Sequence, residues 1–134
     1  LKRVEQLFLS KLEVPSTIIR FGGLVGGERN SIRRIQATKV IESANSPVNL
    51  IHQEDAVGLI LASLTSTEKN TIINGVCDKH PSKREYYSRI AQLSNNELPL
   101  FNDSNKRGKT VKNTAAKEKM KYMFKHPCPL HFRL

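Results

Sequence analysis

The order of elements along these 134 residues predicts an α/β layered fold with at least part of its sheet parallel. Three observations carry that expectation. Helical and extended patterns alternate from the first residue onward. The extended runs are apolar and β-branched, as buried strands are. The strands are also too few to close an open parallel sheet, which is covered on both faces and needs more neighbours than this chain supplies.

Leu1, Val4, Phe8 and Leu12 form one helical stripe, with Glu5, Lys11 and Glu13 off it, and Pro15 ends that helix. Residues 17–21 (TIIRF) read as a buried strand, and the glycines of 22–27 then let the backbone turn sharply at its carboxyl end. Residues 31–43 carry a weaker helical pattern on Ile32, Ile35, Val40 and Ile41. Ser46-Pro47 marks a turn and 48–51 a short strand. From Glu54 a helix is expected with Val57, Ile60, Leu61 and Leu64 at core spacing, its first turn holding Glu54 and Asp55 at the positive end of the helix dipole. Residues 71–77 form another strand. Ser82-Lys83-Arg84-Glu85 is a capping box opening a helix through Tyr86, Ile90 and Leu93. Residues 95–110 are polar around a small extended piece at 98–101. Asn113 or Thr114 then caps a last helix with Ala116, Met120, Met123 and Phe124 on its apolar face, stopped by Pro127 and Pro129. The expected division is 1–94, an α/β layer, and 95–134, a small α+β unit.

Composition removes several functional classes. No apolar run approaches the ~20 residues of a membrane span. The first residues already read as amphipathic helix, so no signal peptide is expected there. A chain opening on Leu1 without a cap or an initiator methionine is expected to be part of something longer. Cys77 and Cys128 make no disulfide framework, which suits reduced thiols and a cytoplasmic setting. The net charge of +10 suggests nucleic acid, but its distribution does not. Residues 1–105 hold 13 Lys/Arg against 11 Asp/Glu, whereas 106–134 hold 9 against 1. The basicity belongs to the tail and reads as a solvated helix face before it reads as a phosphate-binding surface.

Four blocks together resemble one family. Residues 17–26 (TIIRFGGLVG) are similar to a late strand and turn of the extended short-chain dehydrogenases. Residues 48–57 (VNLIHQEDAV) resemble that family's His-Val-Asp-Asp-Val segment. Residues 73–76 with 80–87 (HPSKREYY) resemble the block of its epimerase-like members in which a proline precedes a Glu-Phe-Tyr helix. Lys112-Asn113 with 124–127 (FKHP) resemble their closing segment. The resemblance implies the distal half of a Rossmann-type parallel sheet plus a C-terminal substrate-side unit, in an NAD- or NADP-dependent epimerase, dehydratase or reductase acting on a sugar nucleotide or similar small molecule. It also implies an N-terminal half with the G-x-x-G-x-x-G turn and the Tyr-x-x-x-Lys pair, neither of which occurs here. No catalytic residue can therefore be assigned, and this chain alone is expected to be inactive, not to bind cofactor, and to self-associate.

By the same resemblance, Phe21, Gly22, Gly23 and Leu24 pass near the nicotinamide, His52 faces the substrate, and Arg34, with Arg33, lies where a diphosphate is held. Each has a plainer alternative: a packed glycine turn, a histidine bonded to backbone at a helix start, a solvated helix face. Asp55 reads as a helix-start carboxylate, and His126-x-Cys128-x-x-His131 as a chance cluster, so no metal is expected. Two other functions stay open, a cofactor-sensing protein that kept the fold without catalysis and a basic nucleic-acid module over 106–125.

Overall fold

Three pairs of parallel strands organise the computed structural model, which describes residues 2–11, 15–27, 40–68, 70–103 and 108–132. In chain order the elements are α1 (Lys2–Lys11), β1 (Thr17–Phe21), β2 (Gly23–Val25), β3 (Val40–Glu42), β4 (Leu50–His52), α2 (Gln53–Thr65), β5 (Thr71–Gly75), α3 (Lys83–Leu93), β6 (Leu100–Asn102), α4 (Thr114–Met120) and a 3-10 turn (Pro129–His131). β1 pairs with β5, β2 with β4 and β3 with β6, all parallel. Parallel partners cannot be joined by a tight turn, and the connections from β1 to β5 and from β3 to β6 contain helices, as the alternation predicts. The architecture is α/β.

The glycines after β1 act differently from expectation. The backbone does not turn sharply at Gly22. It changes partner there: Gly22 donates its N–H to Gly75 and Gly23 donates to Asn49, at 2.9 and 2.8 Å. A Cβ at Gly22 would lie 2.5 Å from the Asn49 carbonyl oxygen and 2.8 Å from Val76 Cγ1, so only glycine fits between the two partner strands. The strand then continues to Val25, and the turn comes at Gly26 and Gly27, where φ is 123° and 58°.

The main core gathers Ile51, Ala56, Leu59, Ile73, Met120 and Phe124 between β4, β5, α2 and the C-terminal segment. A second cluster sets Tyr86 and Ile90 of α3 against Val48. In the C-terminal segment, β6 pairs with β3, and α4 packs on β5 and α2.

Two expected core stripes point outward. On α2 the buried residues are Asp55, Ala56 and Leu59, whereas Val57, Ile60, Leu61 and Leu64 are 42–70% exposed. This helix is apolar around most of its circumference, so periodicity alone does not choose its inner face. The bonds of Asp55 described below choose it. On α1, Val4, Leu7 and Phe8 are exposed and the buried residue is Glu5. Its carboxylate accepts from Arg20 of β1, Nε to Oε1 at 2.8 Å, and that bond holds the Glu5 carboxyl below its usual range. Leu1 and Leu12 lie outside the described residues.

Three further expectations need correction. Val40 and Ile41 are strand, not helix, because they find a partner in Leu100 and Phe101 some 60 residues away, which local periodicity cannot register; residues 31–39 lie outside the described residues. The last helix stops at Met120, before either proline, because Lys121 adopts a left-handed φ of 51°. Met123 is consequently 85% exposed, and Phe124 reaches the core from non-helical chain. Asn113 occupies the cap position of α4 without a side-chain cap bond; its amide donates instead to the Val76 carbonyl and to Asp78.

The capping box is present as predicted. Ser82 Oγ accepts from the Glu85 N–H, and the Glu85 carboxylate accepts from the Ser82 N–H at 2.7 Å, which lowers the Glu85 pKa. Replacing Ser82 by alanine is expected to cost about 1 kcal/mol in urea denaturation, the usual worth of a cap.

Candidate functional site

β4 delivers its last residue, His52, to the start of α2, where the imidazole caps the helix: Nδ1 accepts from the Glu54 N–H at 3.3 Å. An accepting Nδ1 leaves the proton of the neutral ring on Nε2. His52 is buried, and burial, helped by the charge of His126, lowers its pKa and favours that neutral form. Its ring lies against His126, with centroids 3.8 Å apart, and Phe132 meets it edge-on at 5.2 Å.

His126 comes from the far end of the chain, and Asp55 brings it there. Asp55 is completely buried. Its Oδ1 accepts from the Tyr122 hydroxyl at 2.9 Å and from the Lys125 N–H at 2.8 Å, and its Oδ2 accepts from the His126 N–H at 2.9 Å. One carboxylate thus ties the segment 122–126 to the first turn of α2. Gly58 makes room for this: a Cβ there would collide with the Tyr122 hydroxyl. Burial first, and the bond to Asp55 second, raise the Tyr122 pKa and keep the phenol protonated. His126 Nε2 sits 3.2 Å from Glu54 Oε2, a contact that lowers the Glu54 pKa. Cys77 donates to the His126 carbonyl, and burial pushes its thiol up to about 12, which disfavours the thiolate.

Two adjoining open hollows border this cluster. One, about 670 Å³, is lined by Phe21, Leu24, Gly27, Gln53, Ala56 and Ile60. The other, about 570 Å³, is lined by Gly27, His52, Gln53, Glu54, Gly58 and Lys125 among others. The fold therefore brings the end of β1, the start of β2 and His52 to one side of the molecule. Phe21 and Leu24 face the first hollow, Gly22 is closed off against Asn49, and Gly23 lies against Leu50. Arg33 and Arg34 lie outside the described residues.

The motif His126-x-Cys128-x-x-His131 is not what assembles. His126 instead joins His52 and Glu54, and one ligand atom from each lies within 4.8 Å of the others. This grouping, and the buried role of Asp55, escape sequence reasoning. The partners are about 70 residues apart, and Asp55 looks like any helix-start carboxylate. The joint appearance of the 52–55 and 124–127 blocks was the available signal.

The basic tail is partly committed within the fold. Lys117 pairs with Asp78 at 2.7 Å, and Lys119 donates to Thr71 Oγ1 at 2.7 Å. Burial alone would raise the Asp78 pKa, but the bonds from Lys117 and Asn113 prevail and lower it. Among the described residues no helix is long and apolar enough to cross a membrane.

No family model matches the chain. Protein YeeZ of Escherichia coli strain K12 is 30% identical over 115 residues, which are 84% of this chain and 42% of YeeZ. The chain thus spans less than half the length of that relative. Among solved structures, a conserved protein from Silicibacter pomeroyi superposes with a TM-score of 0.76 at 19% identity, covering 94% of this chain and 50% of that one. The UDP-glucuronic acid 4-epimerase of Bacillus cereus, a variant in complex with UDP-4-deoxy-4-fluoro-glucuronic acid and NAD, superposes with a TM-score of 0.73 at 13% identity, covering 92% of this chain and 45% of that one. At such identities these likenesses are likenesses of fold, and each spans about half of the matched chain.

Proposed function

We propose that this chain, which has the fold of the NAD-dependent nucleotide-sugar epimerases at about half their length, is the substrate-side part of an NAD- or NADP-dependent epimerase, dehydratase or reductase of the short-chain dehydrogenase type. Its substrate is a sugar nucleotide or a similar small molecule. The N-terminal half of the same protein is its partner and supplies the dinucleotide loop and the catalytic pair. Residues 1–94 complete the Rossmann-like layer, residues 95–134 form the substrate-side extension, and the protein works in the cytoplasm.

The observation that carries this reading is the match in fold over half of an epimerase, together with apolar rows on α1 and α2 that face outward. Exposed rows of this kind mark surfaces that other structure covers. The second reading, a binding protein without catalysis, has the same fold and differs only in the upstream catalytic pair.

The residues present fit one wall of a nicotinamide site. Phe21 and Leu24 give the first hollow an apolar lining, at the carboxyl end of parallel strands where open α/β sheets bind ligands. Bound there, the nicotinamide would accept or donate hydride. Phe21 and Leu24 would border it and exclude water, with Gly22 and Gly23 setting the course of the backbone between them. His52, neutral and protonated on Nε2, would donate a hydrogen bond at the substrate edge, and Arg34 would hold phosphate oxygens.

Calorimetric titration tests the division of labour. The whole protein is expected to bind NAD or NADP, and residues 1–134 alone to bind neither. Micromolar binding by the isolated chain would overturn the division, and absence of binding by the whole protein would overturn the oxidoreductase reading.

A further inference from the structure

We propose that His52, Glu54 and His126 form a binding site for a divalent transition-metal ion of the zinc class. Two imidazole nitrogens and one carboxylate oxygen are a donor set that suits such an ion, and the site would keep an open position for water or ligand toward the second hollow.

Geometry supports the assignment most directly at the Glu54–His126 pair. Two ligands of a tetrahedral ion with bonds of ~2.0–2.1 Å lie about 3.3 Å apart. His126 Nε2 and Glu54 Oε2 are 3.2 Å apart, so an ion can take the place of their shared proton. His52 offers one ring nitrogen to the same 4.8 Å grouping, and coordination through Nδ1 would match the tautomer that its cap bond sets. The bond it would give up, from the Glu54 N–H, is long at 3.3 Å and correspondingly weak. The scaffold is held on both sides: His52 ends a strand, and the backbone of His126 is fixed by buried Asp55, as ligand-bearing chain is in metal proteins. Coordination also has a mechanical consequence. The ring centroids are 3.8 Å apart, whereas two imidazoles on one tetrahedral ion have centroids roughly 5 Å apart. His126, with 29% of its side chain exposed, is the ring that can swing outward.

The site is unrelated to the local His126, Cys128, His131 spacing, and this distinguishes the variants. Titration of the whole protein with Co2+ alone is expected to give the visible absorption of tetrahedral cobalt at one equivalent. His126→Ala is expected to abolish it. Glu54→Gln, at a side chain 62% exposed and outside the core, is expected to weaken binding by more than the roughly 10- to 100-fold that loss of an outer-shell partner costs, without unfolding the protein. Cys128→Ala and His131→Ala are expected to bind as the parent does. No cobalt spectrum in the parent, a spectrum that survives both His126→Ala and Glu54→Gln, or one lost on His131→Ala would each overturn the proposal. The cobalt readout does not depend on nicotinamide binding, so it stands or falls separately from the enzymatic reading.

Discussion

Replacing Asp55 with alanine is expected to lower stability by about 4 kcal/mol or more, since three bonds to one buried carboxylate at ~1.5–3 kcal/mol each reach about 4.5 kcal/mol at their low end. Three donors converge on this side chain, the Tyr122 hydroxyl and the N–H groups of Lys125 and His126. Urea denaturation of the whole protein measures the loss, and two milder variants apportion it. Asp55→Asn keeps the shape but turns one acceptor into a donor facing other donors, so it should recover little. Tyr122→Phe removes a single bond and should cost about 1–2 kcal/mol. A loss below about 1 kcal/mol for Asp55→Ala would mean that the 122–126 segment holds its place by apolar packing of Phe124 and not by the carboxylate.

The second large effect depends on context. Leu61 is 59% exposed in this chain. If the N-terminal half covers α2, Leu61→Ala should cost the whole protein about 2–4 kcal/mol, as truncation of a core leucine does, and the isolated 134 residues less than about 0.5 kcal/mol. The isolated chain should also self-associate in light scattering, and Leu61→Asp should reduce that association. Equal and small losses in both proteins would show that this face is a free surface in the whole protein as well.

Legibility of the sequence followed the range of the interactions. The capping box at Ser82 and Glu85 was fully readable, because both partners lie within one helical turn. So were β1 and β5, whose β-branched runs need no knowledge of their neighbours. The orientation of α2 was not. Val57, Ile60, Leu61 and Leu64 make as good a helical stripe as the residues that are buried, and the choice rests on a carboxylate bonded to chain 67–71 positions away. β3 failed for the same reason, with its partner β6 about 60 residues on. In the site, His52 was readable as a helix-start histidine. Its neighbour His126 was read within its own local motif, because spacing along the chain does not reveal which distant segments a buried acid draws together.

The Asp55 attachment also has a kinetic side. Closing a loop of about 70 residues carries a chain-entropy cost, and contacts of that span form late. During synthesis α2 and its strands are complete while residues 122–126 are still to come. Until then the carboxylate of Asp55 has no partners, and the helix has no fixed rotation against the sheet. Residues 122–126 therefore complete the bonding of Asp55 only after α2 and its strands have formed. A product truncated before Tyr122 retains every strand described here, yet lacks all three donors to Asp55 and is expected to be more open to proteases.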